Sequence, residues 1–526
     1  MMQTYARFKD SIARVLPSLG AALALLLPAG AHAAVPGIKG PTFVLTAQEN
    51  YLTQPDGAQI YSWGYGCDSS ASKPAFAPFS GFCNTMQVPG PTLIVNEGDT
   101  VSVTLNNQLP AAAGNTSILF PGFSVMPAGG TPGLLTSEAA PGASVTYSFV
   151  ANKPGTHSYY SGTQEDLQIE MGLYGALIVL PQSSSGCGAK GEFALGSSAY
   201  DDTGSGVNPT CYNREYLFQF AEIDPRIHQQ AESIAHCEPK PGAPCPGNML
   251  TVAVEPYHPA YFLINGRSMP DDMDPNYALQ YPSQPYNGNP HMHPGDLTLL
   301  RIIGTGRWQH PFHEHGNHVR LLARDGNLLT SSADASKLAG PLLFTTTTTP
   351  GQALDAIYYW SGKGLNWDVY AHKPNDGSAC VPDANGYYTE ASGATPPAFD
   401  GNGTMISGTP NYYEWCADHN KPLEKHPYGS VGSGGPASLP DALILTDGAW
   451  YGGSPYLGPD AAAKAVGGTP IPPAGTVLNS SASEAGYAFM WHSHNEREIT
   501  TNDVFPGGMM MMMLVDPAVF HIDETQ

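Results

Sequence analysis

Val101, Val103 and Leu105 alternate with polar neighbours up to Asn107, the two-residue period of a strand with one buried face. The segment Val88-Pro-Gly-Pro-Thr-Leu-Ile-Val-Asn-Glu-Gly-Asp99 leads into that strand. Further on, Gly155-Thr-His-Ser-Tyr-Tyr-Ser-Gly-Thr163 reaches an apolar run of buried-strand length within Met171 to Leu180. These signals define a strand-rich block from about 40 to 182. Residues 183–212, rich in Ser and Gly, read as a linker. A second block, 213–520, opens with Glu215-Tyr-Leu-Phe-Gln-Phe220 and continues through Tyr261 to Arg267. It then repeats the earlier device, with Gly295-Asp296 before Leu297 to Ile303 just as Gly98-Asp99 precedes Val101. The repetition predicts two copies of one β-sandwich unit. A Gly-, Pro-, Asn- and Ser-rich stretch at about 374–440 reads as an insertion in the second copy, with strand signals resuming at Ala442 to Leu445 and from Tyr487 to Val515. A three-sandwich division, with one unit closing near Tyr370, is the alternative.

Composition supports an all-β chain. Gly (59) and Pro (49) make up about a fifth of the 526 residues and only 13% are charged, which favours short strands and turns over long helices. Residues 1–33 read as a signal peptide, with Arg7, Lys9 and Arg14 before an apolar run and Ala31-His32-Ala33 at the cleavage position. No later stretch reaches the roughly 18 apolar residues of a membrane helix, so the expected protein is periplasmic or secreted, without a membrane span. A net charge of −23 argues against a nucleic-acid partner. It fits metal ions or cationic partners, and equally a merely solubilising surface. Eight cysteines in an exported chain predict disulfides, with nearest-neighbour pairs 67–83, 187–211, 237–245 and 380–416 as the expected set. The glycine patterns of a nucleophile elbow, a P-loop and a dinucleotide fold do not occur.

The concentrated chemistry lies in His310-Pro-Phe-His-Glu-His-Gly-Asn-His318 and Met490-Trp-His-Ser-His-Asn495. In a strand, His313 and His315 share one face, as do His492 and His494, so two such strands side by side can surround a metal. Imidazole donors without carboxylates suit copper, zinc, iron or nickel rather than magnesium or calcium.

These residues, in this order, resemble the multicopper oxidases, which are built from cupredoxin β-sandwiches. Gly507-Gly508-Met509 resembles the ending of that family's last domain, and a divergent bacterial branch associated with manganese oxidation is the nearest likeness. The resemblance implies tandem cupredoxin-like Greek-key sandwiches and copper held by His313, His315, His492 and His494. His310 and Met509 join as further cofactor positions, His310 matching a ligand of the blue (type 1) copper. The departures are specific. Where the family has two further His-X-His pairs in its first domain, this chain has Ile118-Leu-Phe-Pro-Gly122 and Tyr159-Tyr-Ser-Gly162. The type 1 cysteine and its following histidine are replaced by Ser493 and Glu498. One or two copper ions are therefore expected, not four, and no blue site.

The expected function is a copper-dependent oxidoreductase acting on metal ions or small reductants, with oxygen as a candidate partner. The alternative is a non-catalytic copper-binding or structural protein of the envelope. A partner protein or a homo-oligomer is a further source of the missing ligands. The run Met509 to Met513 either serves cuprous ion or fills the core with alternate side chains. His318 is either a fifth ligand or a strand-end residue. His291 and His293 are either a metal-loading pair or part of a solvated loop. Tyr159 and Tyr160 read first as core aromatics. Glu314 and Glu496 are candidates for orienting an imidazole, with Glu314 on the opposite strand face. Thr345 to Thr349 reads as an edge strand without a functional role.

Overall fold

The computed structural model describes residues 35–67, 83, 85–182, 187, 189–190, 193–194, 197–201, 210–241, 245, 248–293, 295–360, 486–516 and 520–522, together with seven short strands between 381 and 478. The signal segment, the bulk of the 374–440 insertion, Ala442 to Leu445 and the Cys380–Cys416 pair lie outside the described residues.

The first block is a two-sheet sandwich. One sheet runs β2 (Gln59–Cys67), β1 (Thr42–Thr53), β4 (Thr100–Asn107), β5 (Ser144–Val150) and Met126–Gly129. The other runs Ile38–Lys39, β3 (Leu93–Asn96), β7 (Tyr174–Leu180) and β6 (Gly155–Tyr160). The alternation at 101–107 is present as expected: Val101, Val103 and Leu105 are fully buried while their neighbours are partly exposed. They pack with Leu93, Val95 and Leu177 of the facing sheet into one apolar core.

The second block repeats this plan. A seven-stranded sheet contains β9 (Tyr261–Ile264), β8 (Arg214–Ile223), β11 (Leu297–Gly304), β15 (Ala353–Tyr359) and β13 (Val319–Arg324). It faces a six-stranded sheet ordered β10 (His291–Met292), β17 (Met510–Val515), β16 (Gly486–Ser493), β12 (His310–Glu314) and β14 (Thr345–Thr348). Phe218, Phe220, Ile302 and Leu354 from the first of these meet Phe312, Phe489, Trp491 and Met511 from the second.

The repeat extends to the turn that starts the central strand. Asp99 Oδ2 accepts the backbone N–H of Asn96 at 2.8 Å, and Asp296 Oδ2 accepts that of His293 at 2.9 Å. Gly98 and Gly295 stand just before, at φ +87° and +81°, where a side chain would be strained. β4 then pairs parallel with β1 and antiparallel with β5, and β11 does the same with β8 and β15.

Two features depart from expectation. The 183–212 segment is not a free connection: Ser197–Ser198 pairs with Cys211–Tyr212, and Tyr200 is buried with its hydroxyl on Asp355. An 11-residue helix, α1 (Pro225–Ala235), begins at the Asp224 cap and buries Ile227, Ala231 and Ile234 in the first block's core. Disulfides 67–83, 187–211 and 237–245 form as expected. Among the described residues no helix is long and apolar enough to cross a membrane.

Candidate metal centre

Strand register brings the two histidine pairs together. β12 and β16 run antiparallel with His313 opposite His492 and Phe312 opposite Ser493. The contact continues past the strand end, where the His494 backbone N–H donates to Pro311 O at 2.8 Å. Trp491 Nε1 donates to His315 O at 2.9 Å, fixing the other side. Paired residues of antiparallel strands point to one face, so all four imidazoles fall on the face turned away from the Phe312–Trp491 core.

The rings are close neighbours. His313 lies 4.6 Å from His315, 5.7 Å from His492 and 5.0 Å from His494, measured between ring centroids. His315 to His492 is 5.3 Å and His492 to His494 is 5.6 Å. His494 is exposed and the other three are buried or half-buried.

Hydrogen bonds set which nitrogen each ring presents. His492 Nδ1 donates to Ser493 O at 2.7 Å, so its Nε2 carries the lone pair. His313 Nδ1 pairs with Thr345 Oγ1 at 2.8 Å, and as donor there it frees Nε2 in the same way. Partners of this kind orient metal-binding imidazoles and raise their basicity as ligands. His315 Nε2 and His492 Nε2 are 3.2 Å apart, a separation that two nitrogens each about 2.0 Å from a shared ion can adopt. Burial, reinforced by the neighbouring rings of His315, His492 and His494, pushes His313 down to about 4, and burial also lowers His492. Neutral imidazoles are what a copper site requires. Among the described residues, no three His, Cys, Asp or Glu side chains already surround one ion position. The donor chemistry fits copper, and ligation requires the rings to turn from their mutual hydrogen bond toward a common centre.

His310 does not join them. Strand parity turns it to the opposite face, where its Nδ1 meets Glu498 Oε2 at 2.9 Å and its Nε2 meets Glu222 Oε2 at 3.0 Å. All three side chains are buried. With a carboxylate at each ring nitrogen, His310 has no lone pair for a metal, which corrects its assignment as a ligand. Burial alone would lower this imidazole, but its bonds to Glu222 and Glu498 outweigh burial and raise it to about 9. Ser493 Oγ donates to the same Glu498 oxygen at 2.5 Å, and Asn495 Nδ2 to the other at 2.9 Å. Glu222 Oε1 accepts the backbone N–H groups of Arg307 and Trp308. His310, Ser493, Glu498 and Glu222 are thus assembled as a charged hydrogen-bond network.

Met509 is corrected likewise. It is fully buried in the apolar core with Met511 and Met513, on the face opposite His492. His318 is half-buried against Phe344, with ring centroids 3.6 Å apart. His291 Nδ1 bonds Asp516 at 2.7 Å and His293 Nε2 bonds Phe520 O at 2.8 Å, so this pair pins the C-terminal segment instead of lying in a solvated loop. Tyr159 is a core aromatic whose hydroxyl donates to Pro91 O. Glu314 is buried, takes a bond from Thr346 Oγ1 at 2.8 Å and is raised well above the usual carboxyl range by burial. Glu496 is exposed. The residue touching the histidine cluster that sequence reasoning passed over is Thr345, on His313 Nδ1. Its only sequence signal was the high strand propensity of the threonine run, which predicts pairing but not the partner.

Residues 81–184 match a family profile described as multicopper oxidase. They resemble a multicopper oxidase domain. Over 99 residues the chain is 39% identical to Laccase 1 of Metarhizium acridum, covering 18% of this chain and 15% of that one. Over 96 residues it is 38% identical to L-ascorbate oxidase of Brassica rapa subsp. pekinensis, covering 18% and 16%. The chain thus matches less than a fifth of the length of these multicopper oxidase relatives. Among solved structures, the multicopper oxidase mgLAC superposes with a TM-score of 0.43 at 15% identity, covering 93% of this chain and 88% of that one. The blue copper oxidase from Nitrosomonas europaea gives 0.43 at 16%, covering 90% and 85%. The matched segment lies almost wholly in the first block and includes Ile118 to Gly122 and Tyr159 to Gly162.

Proposed function

We propose that this chain is an exported copper protein that holds one or two copper ions, not four, on His313, His315, His492 and His494 and oxidises metal ions or small reductants, with oxygen as the electron acceptor. The observation that carries the reading is the register of β12 on β16, which gathers four imidazoles on one face. Copper bound there supplies one-electron redox chemistry. The chain's own part is to orient His313 through Thr345, orient His492 through Ser493 O, and keep His313 and His492 neutral by burial. The sandwich division at about 40–182 and 213–520 belongs to the same reading.

A second reading, a copper-binding envelope protein without turnover, is favoured by one observation. The network of Glu222, His310, Glu498 and Ser493 occupies the positions at which the family takes in electrons.

Metal content by mass spectrometry after copper exposure tests the site. One to two coppers per wild-type chain and none in His313→Ala/His492→Ala are expected, and a wild type without copper refutes it. Oxygen uptake by the copper-loaded protein with phenolic, Cu(I) or Mn(II) donors separates the two readings. Absence of uptake with all three selects the second.

A further inference from the structure

The methionine run divides between the two faces of its strand. Met511 and Met513 enter the apolar core with Phe489 and Trp491. Met510 and Met512 point the other way, and β17 pairs with β16 so that Met510 stands directly opposite His492 and Met512 directly opposite Met490. Burial follows the same alternation. Phe489, Trp491, Met511 and Met513 are fully buried, whereas Met490 and Met512 are half-buried and Met510 is 4% exposed.

Side chains directly opposite across antiparallel strands have Cβ atoms about 5 Å apart, and diagonal ones about 7 to 8 Å. Met490, Met510 and Met512 are therefore mutual neighbours, and Met510 adjoins His492. Three flexible thioethers at that spacing can bring their sulfurs to one centre. A fourth sulfur is close to the same strand: Met273 Sδ accepts the Met512 backbone N–H at 3.3 Å. Thioether sulfur is a soft, uncharged donor that selects monovalent copper over divalent ions, whereas the imidazoles beyond it accept both.

We propose that Met490, Met510 and Met512 form a binding site for a soft monovalent metal ion, Cu(I) in kind, lying beside the histidine cluster on the same sheet face. The site stands on thioether chemistry alone and does not depend on copper occupying the histidines. No electron transfer is part of it: the ion binds and leaves as the same monovalent species. Half-buried Met490 and Met512 form its accessible side, and buried Met510 links it to His492.

Silver ion is the redox-inert probe. The full chain, stripped of metal, is titrated with Ag(I) by calorimetry, and sulfur ligation is read by X-ray absorption at the silver edge. Expected is one tight Ag(I) with sulfur neighbours in the wild type, lost in Met490→Leu/Met510→Leu/Met512→Leu and kept in His313→Ala/His492→Ala. Leucine preserves volume, and the single exchange Met512→Leu at the half-exposed position guards against a misfolded triple variant, with at least tenfold weaker binding expected. Unchanged Ag(I) stoichiometry and sulfur scattering in the triple variant overturn the proposal. So does loss of the ion in the histidine variant, which would place it on the imidazoles. Loss of Cu(II) with retained Ag(I), or the reverse, separates this site from the proposed copper centre.

Discussion

His310 Nδ1 lies 2.9 Å from Glu498 Oε2, and this contact ties β12 to the loop that follows His492 and His494. With Glu222 on its other nitrogen, His310 joins three segments that the chain separates by up to 276 positions. Its imidazolium supplies positive charge between two buried carboxylates. The bond thus holds the second histidine pair against the first without a metal.

Because His310 is raised to about 9 from an unfolded value near 6.5, its contribution to stability is full below 6.5 and is lost as the pH rises through 9. That contribution is on the order of 3 kcal/mol at weakly acidic pH. Denaturant unfolding between pH 6 and 10 should show a decline that His310→Gln largely abolishes. At pH 7 the variant should be destabilised by about 3 to 5 kcal/mol, since two buried carboxylates lose their partner. Equal pH slopes in both proteins would refute the assignment.

Thr345 bonds His313 Nδ1 at 2.8 Å, so Thr345→Val should leave the fold intact and weaken copper binding roughly 10- to 100-fold. Competition against a copper chelator measures this. Thr347→Val on the same strand, an exposed position paired with Pro311, is the control with unchanged affinity.

His313 is lowered to about 4, so protons compete with a metal there only under acidic conditions. Copper uptake by dialysis should persist from pH 7 to about 5 and fall through 4, instead of failing near the ordinary histidine value of about 6.5. A midpoint near 6.5 would refute the lowered value of His313. The same shift makes the apo fold less stable as the pH falls from 6.5 toward 4, because the unfolded chain binds the His313 proton first.

Glu314 is buried with its Oε2 unpaired and its pKa raised. Its stabilising contribution is present below the unfolded value and is lost as the pH rises through the folded one, so the wild type is held back at neutral pH. Glu314→Gln should therefore raise the thermal midpoint at pH 7, change it little at pH 4, and leave copper content unaltered. A loss of copper in this variant would show that Glu314 acts on the site through the strand.

The likeness of the two Gly-Asp turns, the alternation of β4 and the sharing of a face by His313 with His315 were legible along the chain, because each depends on residues two or three positions apart. The pleat of a strand makes such relations local, so alternation also separates Met510 and Met512 from Met511 and Met513, and His310 from His313. What the tertiary structure decided was pairing: which strand meets β12, that His492 rather than a neighbour stands opposite His313, and that Thr345 reaches its ring. Slipping that register by one residue would turn one histidine pair to the core face while its local sequence stayed the same. The partners of His310 were equally beyond reach, since a buried imidazole is a ligand or a cation according to what packs around it. Here Glu222 lies 88 positions before it and Glu498 188 positions after it, and only the packed sandwich brings both carboxylates to its two nitrogens.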